Sequence, residues 1–264
     1  MDTASSAPPS LNGTFKPSEV TASLTEAGLL PGRTQKVVRL YAELLSWAKA
    51  REQWHAERMH ERGSRSSAQK IFRIIKRRLQ AGEGQLPAVT DLNHLLQSCG
   101  TEQARNQVLY FYLINEDNLF RYVVHEVLGT DDADRTNWNL SKHLILDILN
   151  RFEYDDGSPL TYADSTRSRW VQGFLSVLRD IGVVEGKYDE HGTTPTIDAA
   201  PLHTAALYSW RTVGDDWLQH PVGLRYLFQP RVMIDRLVQR LGNTERWDVH
   251  SQQGTTLLTP VLQE

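Results

Sequence analysis

The chain contains a single cysteine, Cys99, among its 264 residues. One thiol cannot build a disulfide scaffold or a multi-cysteine zinc or iron–sulfur site, so both are excluded. No stretch reaches 18 consecutive apolar residues, which argues against a membrane-spanning helix. The N-terminus, MDTASSAPPS, has neither the basic start nor the apolar core of a signal peptide. These absences predict a soluble, cytoplasmic protein with no membrane partner.

Acidic residues are missing from one stretch, since none lies between Glu61 and Glu83. The whole chain has 29 Lys and Arg against 32 Asp and Glu, yet residues 33–80 hold 13 Lys and Arg and only four Glu. That segment has a net charge of +9, whereas the residues after it have a net charge of −10. Concentrated positive charge is typical of a face that binds a polyanion. The alternative is a solvated basic helix that contacts nothing.

Motifs of catalysis are missing as well. The chain has no P-loop and no G-x-S-x-G, and its acidic pairs do not follow the spacing of a calcium-binding loop. In HAERMHE, His55 and His60 are five residues apart and diverge around a helix, unlike the pair in H-E-x-x-H. We therefore predict a protein that is not an enzyme and that needs neither a metal nor a cofactor.

Composition and periodicity divide the chain into three parts. Residues 1–16 are rich in Ser and Pro and are predicted to be a disordered extension. Residues 17–135 are predicted to form a helical subdomain, and residues 136–264 a second one, with the loop Gly129–Arg135 at the boundary. Apolar residues at three- and four-residue spacing predict a mainly α fold of two packed subdomains. Helices are predicted over 34–60 (in one or two pieces), 64–80, 88–98, 101–115, 117–128, 140–152, 164–181, 201–212 and 229–241.

The stretch Ser64–Gln80 is predicted to be an amphipathic helix capped by Ser64, Ser66 or Ser67. Its apolar stripe consists of Ile71, Ile74, Ile75 and Leu79, or of Phe72, Ile75 and Leu79. Like charges three or four residues apart repel by a few tenths of a kcal/mol per pair, and no acid relieves them here. Phosphate contact would explain such a helix. The predicted phosphate-binding residues are Arg65, Lys70, Arg73, Lys76, Arg77 and Arg78.

A second informative stretch is Asp164–Ile181, a predicted helix with Asp164 or Ser165 as its N-cap and Gly182 at its C-terminal end. A helix near 140–152 precedes it. Two β-prone runs, Val183–Lys187 and Thr193–Ile197, follow it around a turn and predict a hairpin. This order is the outline of a winged helix-turn-helix. The buried face of the helix is predicted to consist of Trp170, Phe174, Val177, Leu178 and Ile181. A last hairpin is predicted from 247–250 and 255–259.

Recognition helices contact DNA through their N-terminal residues, while later turns anchor them. Arginine can read guanine with two hydrogen bonds, and serine or threonine can reach bases or phosphates. Winged helices also serve as protein-binding modules, and acids such as Asp155 and Asp180 lie nearby in the sequence. Protein binding therefore remains an alternative to DNA binding for this unit. The predicted DNA contacts of this unit are Ser165, Thr166, Arg167 and Arg169, with Lys187 in the wing.

The stretch TASLTEAGLLPGRTQKVVRLYAELLSWAKAREQWHAERMHERGSRSSAQKIFRIIKRRL resembles the N-terminal half of BrxA-type proteins, small helical components of BREX phage-defence systems. LYFYLINEDNLFRYVVHEVL, STRSRWVQGFLSVLRDIGVVEG and the terminal hairpin that begins W-x-V are similar too. The resemblance implies a mainly α, non-enzymatic accessory factor that binds double-stranded DNA. It also implies partners in defence: a methyltransferase, an ATPase and a phosphatase-like protein.

Carried over by residue, the basic-helix motif falls on Arg65, Lys70, Arg73, Lys76, Arg77 and Arg78, and the winged-helix motif on Ser165, Thr166, Arg167 and Arg169. The interpretation allows a homo-oligomer. Two alternatives remain. One is a winged-helix transcriptional regulator with a specific operator, and the other is a protein–protein adaptor whose basic helix docks on an acidic partner.

Overall fold

The computed structural model describes residues 15–57, 64–129, 135–186, 191–252 and 255–261. Helices dominate these ranges, and the mainly α fold class is confirmed. The α-helices are α1 (Pro31–Leu44), α2 (Trp47–Ala56), α3 (Arg65–Ala81), α4 (Val89–Ser98), α5 (Glu102–Glu116), α6 (Asn118–Leu128), α7 (Lys142–Arg151), α8 (Asp164–Asp180), α9 (Ala199–Val213), α10 (Val222–Tyr226) and α11 (Arg231–Gly242). Short 3₁₀ turns lie at Pro17–Glu19, Ser23–Thr25 and Gly214–Leu218.

Local sequence signals account for several helix ends. The predicted helix 34–60 is broken into α1 and α2 at Leu45, whose φ is +49°. Ser64 caps α3 by accepting a hydrogen bond from the Ser67 amide at 3.2 Å. Helix α8 begins at Asp164, but its N-cap is Ala163, one residue before the predicted cap. Gly182 follows α8 with φ +81°, as its C-terminal position predicts.

The described ranges contain four short strands, which form two antiparallel pairs. Strand β1 (Asn137–Asn139) pairs with β2 (His191–Thr193), and β3 (Trp247–Gln252) pairs with β4 (Thr255–Pro260). The second pair confirms the predicted terminal hairpin. The first pair brackets α7 and α8, so that the chain runs α6, β1, α7, α8 and β2.

The prediction for the hairpin after α8 was wrong in part. Residues 194–197 are not a strand, because Pro195 has no N–H to donate to a ladder. Strand β2 lies earlier, and its main partner is β1, which no sequence pattern predicted. Val184 forms only a single antiparallel bridge with Gly192. The turn between them, including Lys187, lies outside the described residues.

The buried apolar residues form one cluster that extends from Val20 to Leu258. Helix α5 lies at its centre and contacts α1, α3, α6, α8 and α9. The predicted inward face of α8 is confirmed, since Trp170, Phe174, Val177, Leu178 and Ile181 are all fully buried. Trp170 stacks on Phe174 with ring centroids 5.5 Å apart. The division into subdomains near residue 135 stays a prediction.

Residues 15–30, here called the N-terminal strap, cross several helices. The ring of Phe15 stacks on that of Phe152 after α7, and the Asn118 side chain donates to the Glu19 carbonyl at 3.1 Å. Helix α8 packs on the turn Ser23–Thr25. Of the predicted disordered extension 1–16, Phe15 is thus packed and residues 1–14 lie outside the described part. Within that part, no helix has the length and apolar character needed to cross a bilayer.

Candidate nucleic-acid interface

Helices α2 and α3 enclose an open groove of about 620 Å³. Among the described residues that line it, four carry cationic side chains, one from α2 and three from α3, and none is acidic. Its polar wall also includes a hydroxyl and an amide, and its floor is aromatic. The lining residues are Trp47, Ala48, Arg51, Ser66, Gln69, Lys70, Phe72, Arg73 and Lys76.

The aromatic floor of the groove orients one of its cations. The Trp47 ring packs against Tyr41 with centroids 4.2 Å apart and meets Phe72 edge-on at 6.4 Å. The Lys76 ammonium lies 5.7 Å from the centroid of the Trp47 ring, within the range of a cation–π contact. The Trp47 ring thus holds the Lys76 ammonium beside the aromatic floor of the groove.

Packing sorts the predicted basic residues into different environments. The five residues of both predicted apolar stripes are buried, and Arg65, Lys70, Arg73 and Arg77 are exposed. Lys70 forms an ion pair with Glu26 at 2.7 Å in which both side chains are nearly half exposed. Arg77 pairs with Glu116, also at 2.7 Å. The Lys70–Glu26 pair is exposed on both sides, and pairs of this kind are weak and exchange readily with other anions. The Glu116 carboxylate is only 8% exposed, so its pair with Arg77 is partly buried.

Arg78 is placed differently from what the sequence predicts. It was expected at the edge of the basic face, but it is 5% exposed. Its guanidinium donates to the carbonyls of Gly28 at 2.6 Å and Ala27 at 2.8 Å, and its Nε lies 3.6 Å from Glu116 Oε2. Burial lowers the pKa of this arginine, with nearby Glu116 opposing the shift. Arg78 thus attaches α3 to the N-terminal strap, and the surface proposed below does not include it.

A buried carboxyl group completes this attachment. Asp117 accepts hydrogen bonds from the Phe120 amide at 3.0 Å and from the Ser23 hydroxyl at 3.1 Å, so it caps α6 and holds the strap. Burial raises the pKa of Asp117 to about 6, although the amide hydrogen bond lowers it. The attachment of the N-terminal strap to α6 therefore depends on a carboxyl group whose pKa lies just below neutral pH.

We expect Asp117→Asn to change how stability depends on pH. Between the ordinary pKa of 3.8 and the folded value of about 6, the folded state binds more protons than the unfolded state. The contribution of Asp117 is therefore most favourable at low pH and is lost as the pH rises from 4 to 6. Asparagine does not titrate, so the free energy of unfolding of the variant, minus that of the wild type, should rise by about 2 kcal/mol between pH 4 and pH 7.

Urea denaturation of both proteins at pH 4, 5, 6 and 7 measures this difference. Taking the difference removes the contributions of the other titrating groups, which the two proteins share. A difference that stays constant across the range would contradict the prediction.

The residues predicted in α8 also fall into two groups. Ser165 and Arg169 are exposed in its first turns, and Thr166 is partly exposed. Arg167 instead donates to Asn150 Oδ1 at 2.7 Å and to the Leu160 carbonyl at 2.8 Å, which joins α8 to α7 and to the loop between them. Its guanidinium is thus used within the fold. Lys187 lies outside the described residues.

The N-terminal strap connects the two basic elements. Helix α3 is bound to it through Arg78 and Lys70, and α8 packs on its turn at Ser23–Thr25. The two helices are therefore separated by one chain segment, although they lie about a hundred residues apart in sequence. That their exposed cations share one face stays a prediction.

Arg51 is the groove residue that sequence reasoning missed. It lies on α2, where the helix also carries Glu52 and the charge pattern is mixed. Its relation to the cations of α3 depends on how the two helices pack. A signal was present: Trp47 and Arg51 are four residues apart, so they share one face of a helix.

Comparison with known proteins assigns this mainly α chain to a family. A family model described as BrxA matches residues 19–204. Searches of curated proteins and of solved structures each returned no match. The match includes the groove, residues 19–30 of the N-terminal strap and the segment from α6 to β2. It ends within α9, so the terminal hairpin that resembled the family lies beyond it.

The match spans more than half of the chain, and the chain therefore belongs to the BrxA family. It is a component of a BREX phage-defence system, as the sequence resemblance implied. The family is an accessory one within such systems.

Proposed function

We propose that this protein binds double-stranded DNA, chiefly through phosphates, as a non-enzymatic accessory component of its BREX system. The observation that carries the proposal is the cationic groove between α2 and α3, with Arg51, Lys70, Arg73 and Lys76 on its walls and no acidic residue among the described residues that line it. Cations that neutralise phosphates release counterions, which makes binding favourable and strongly dependent on salt. The hydroxyl of Ser66 and the amide of Gln69 add neutral donors of the kind that position a phosphate backbone.

A second contact is proposed at α8. The order α6, β1, α7, α8 and β2, with β1 paired to β2, is that of a winged helix in which α8 takes the recognition position. Ser165 and Arg169 are exposed at the start of α8, where such helices meet the duplex. Since Arg167 is engaged with Asn150, we assign base or phosphate contacts to its neighbours and leave it the role of fixing the helix pair.

We expect the double variant Arg73→Glu/Lys76→Glu to lose most of its affinity for DNA. It reverses two charges in the groove, and each lost phosphate contact should lower the slope of log K against log[salt] by about 0.9. Fluorescence anisotropy with a random 25-base-pair duplex, measured from 50 to 200 mM salt, should show at least ~10-fold weaker binding and a slope smaller by about 2.

The matched control is Arg236→Glu/Arg246→Glu, which changes the net charge equally at two exposed positions outside the groove. It should bind nearly as the wild type does. Equal losses in both variants would mean that only the overall charge matters, and no binding by the wild type would favour the adaptor. A preference of ~10³ or more for one sequence over random DNA would favour the transcriptional regulator.

A further inference from the structure

Leu45 is a large apolar residue in a backbone conformation that suits glycine. It follows α1 with φ +49° and ψ +28°, and its N–H donates to the Tyr41 carbonyl at 2.7 Å. Residues other than Gly, Asn and Asp are strained in this left-handed region, because their Cβ crowds the backbone. The Leu45 side chain is nevertheless 68% exposed, more than any other large apolar side chain in the described part of the chain.

The other non-glycine residues with positive φ have packing that offsets their strain. Within the described ranges these are Leu30, at +53°, and Phe228, at +57°. Leu30 packs against the core, and Phe228 is fully buried with its ring against Trp138. Leu45 has no comparable burial, so the folded chain alone gains nothing from a leucine at this position. Strain without compensating contacts is a reason to look for a ligand.

The position of Leu45 indicates which ligand. It lies at the corner from which α2 begins, two residues before Trp47 in the groove floor and six before Arg51 in the groove wall. Lys76 lies over the same Trp47 ring. The nearby acid on α1, Glu43, is 3.7 Å from Arg39, which balances its charge. An exposed apolar side chain two residues from the floor of a cationic groove would be complementary to DNA, whose phosphates flank an apolar stack of bases.

We propose that Leu45 is a wedge that inserts between adjacent base pairs of a duplex held by the α2–α3 groove and that it bends the DNA. The inference rests on the proposed function and adds to it a mode of binding. Leucine is among the side chains that unstack a base step in this way, kinking the duplex by roughly 20–90°. The cations of the groove would hold the backbone beside the kink, where bending brings more phosphates to the protein.

The test uses the full-length protein and a 25-base-pair duplex. One base is replaced by 2-aminopurine, which brightens on unstacking, and the ends carry a donor and an acceptor dye that report bending. Binding of the wild type should increase the fluorescence of the 2-aminopurine when it lies at the base step that is unstacked. It should also shorten the distance between the two ends of the duplex. Leu45→Gly should abolish both changes and weaken binding by ~10-fold, while its melting temperature stays the same or rises because glycine relieves the strain.

Two further variants separate the wedge from the groove. Val232→Ala removes a different apolar side chain that is 64% exposed, and it should leave both DNA signals unchanged. Arg73→Glu/Lys76→Glu should weaken binding by at least ~10-fold and reduce the salt slope, as predicted above. If Leu45→Gly keeps the bend and the affinity while the charge variant loses them, the wedge is wrong and the DNA-binding function stands. If the charge variant also binds normally, both proposals are wrong.

Discussion

Arg78→Ala is expected to lower the free energy of unfolding by about 3 kcal/mol. The guanidinium is nearly fully buried, and its loss removes the donors to the carbonyls of Ala27 and Gly28 as well as a cation beside Glu116. Breaking a buried pair leaves the partner's charge uncompensated, which is more costly than losing a surface pair. Arg77 still contacts the other oxygen of Glu116, so the expected value is at the lower end of the usual range.

Arg77→Ala is the matched control, because it removes the neighbouring arginine from the same carboxylate. The Arg77 side chain is 47% exposed, so water can replace it, whereas Arg78 remains beside the buried Glu116 carboxylate. The cost should therefore be clearly smaller than that of Arg78→Ala, about 1 kcal/mol. Urea denaturation at pH 7 measures both variants. Equal costs would show that the burial of Arg78 has no energetic consequence, contrary to this prediction.

The same two arginines show what the sequence can and cannot predict about the basic helix. Periodicity gives the buried stripe of α3 correctly, and Ser64 marks its start. Periodicity cannot, however, distinguish Arg77 from Arg78, because the two are consecutive residues at the edge of the stripe. Which one is buried is decided by the N-terminal strap, whose carbonyls are about fifty residues away in sequence. Arg167 is a similar case, since its partner Asn150 is on another helix.

The strands illustrate a second limit. The terminal hairpin is predictable because its strands are six residues long and only two residues separate them in the sequence. Strand β1 has only three residues and pairs with β2, about fifty residues further along the chain. Three residues carry no reliable alternation, so no local pattern distinguishes such a strand from a loop. The wing proposed above therefore depends on a long-range pairing that only the structure supplies.

Gly223→Ala is expected to be at least as disruptive as the loss of Arg78, for a steric reason. Helix α10 approaches α9 so closely that a Cβ at residue 223 would lie 2.1 Å from the Ala205 carbonyl oxygen. That obstacle is backbone, so no side chain can rotate away. The shift would also stretch the hydrogen bond from the Gly223 amide to Ser209 Oγ, now 2.8 Å. We expect a loss of about 3 kcal/mol or more in the free energy of unfolding.

Gly32→Ala provides the opposite expectation with the same chemical change. Gly32 is exposed in the first turn of α1, and no atom lies within 4 Å of the position its Cβ would occupy. Alanine there should raise the free energy of unfolding by about 0.4–1 kcal/mol, because it restricts the unfolded chain. Thermal and urea unfolding of the two variants should thus shift in opposite directions. A small effect of Gly223→Ala would mean that α10 can separate from α9 at little cost, so that residues beyond the family match are only loosely joined to the rest.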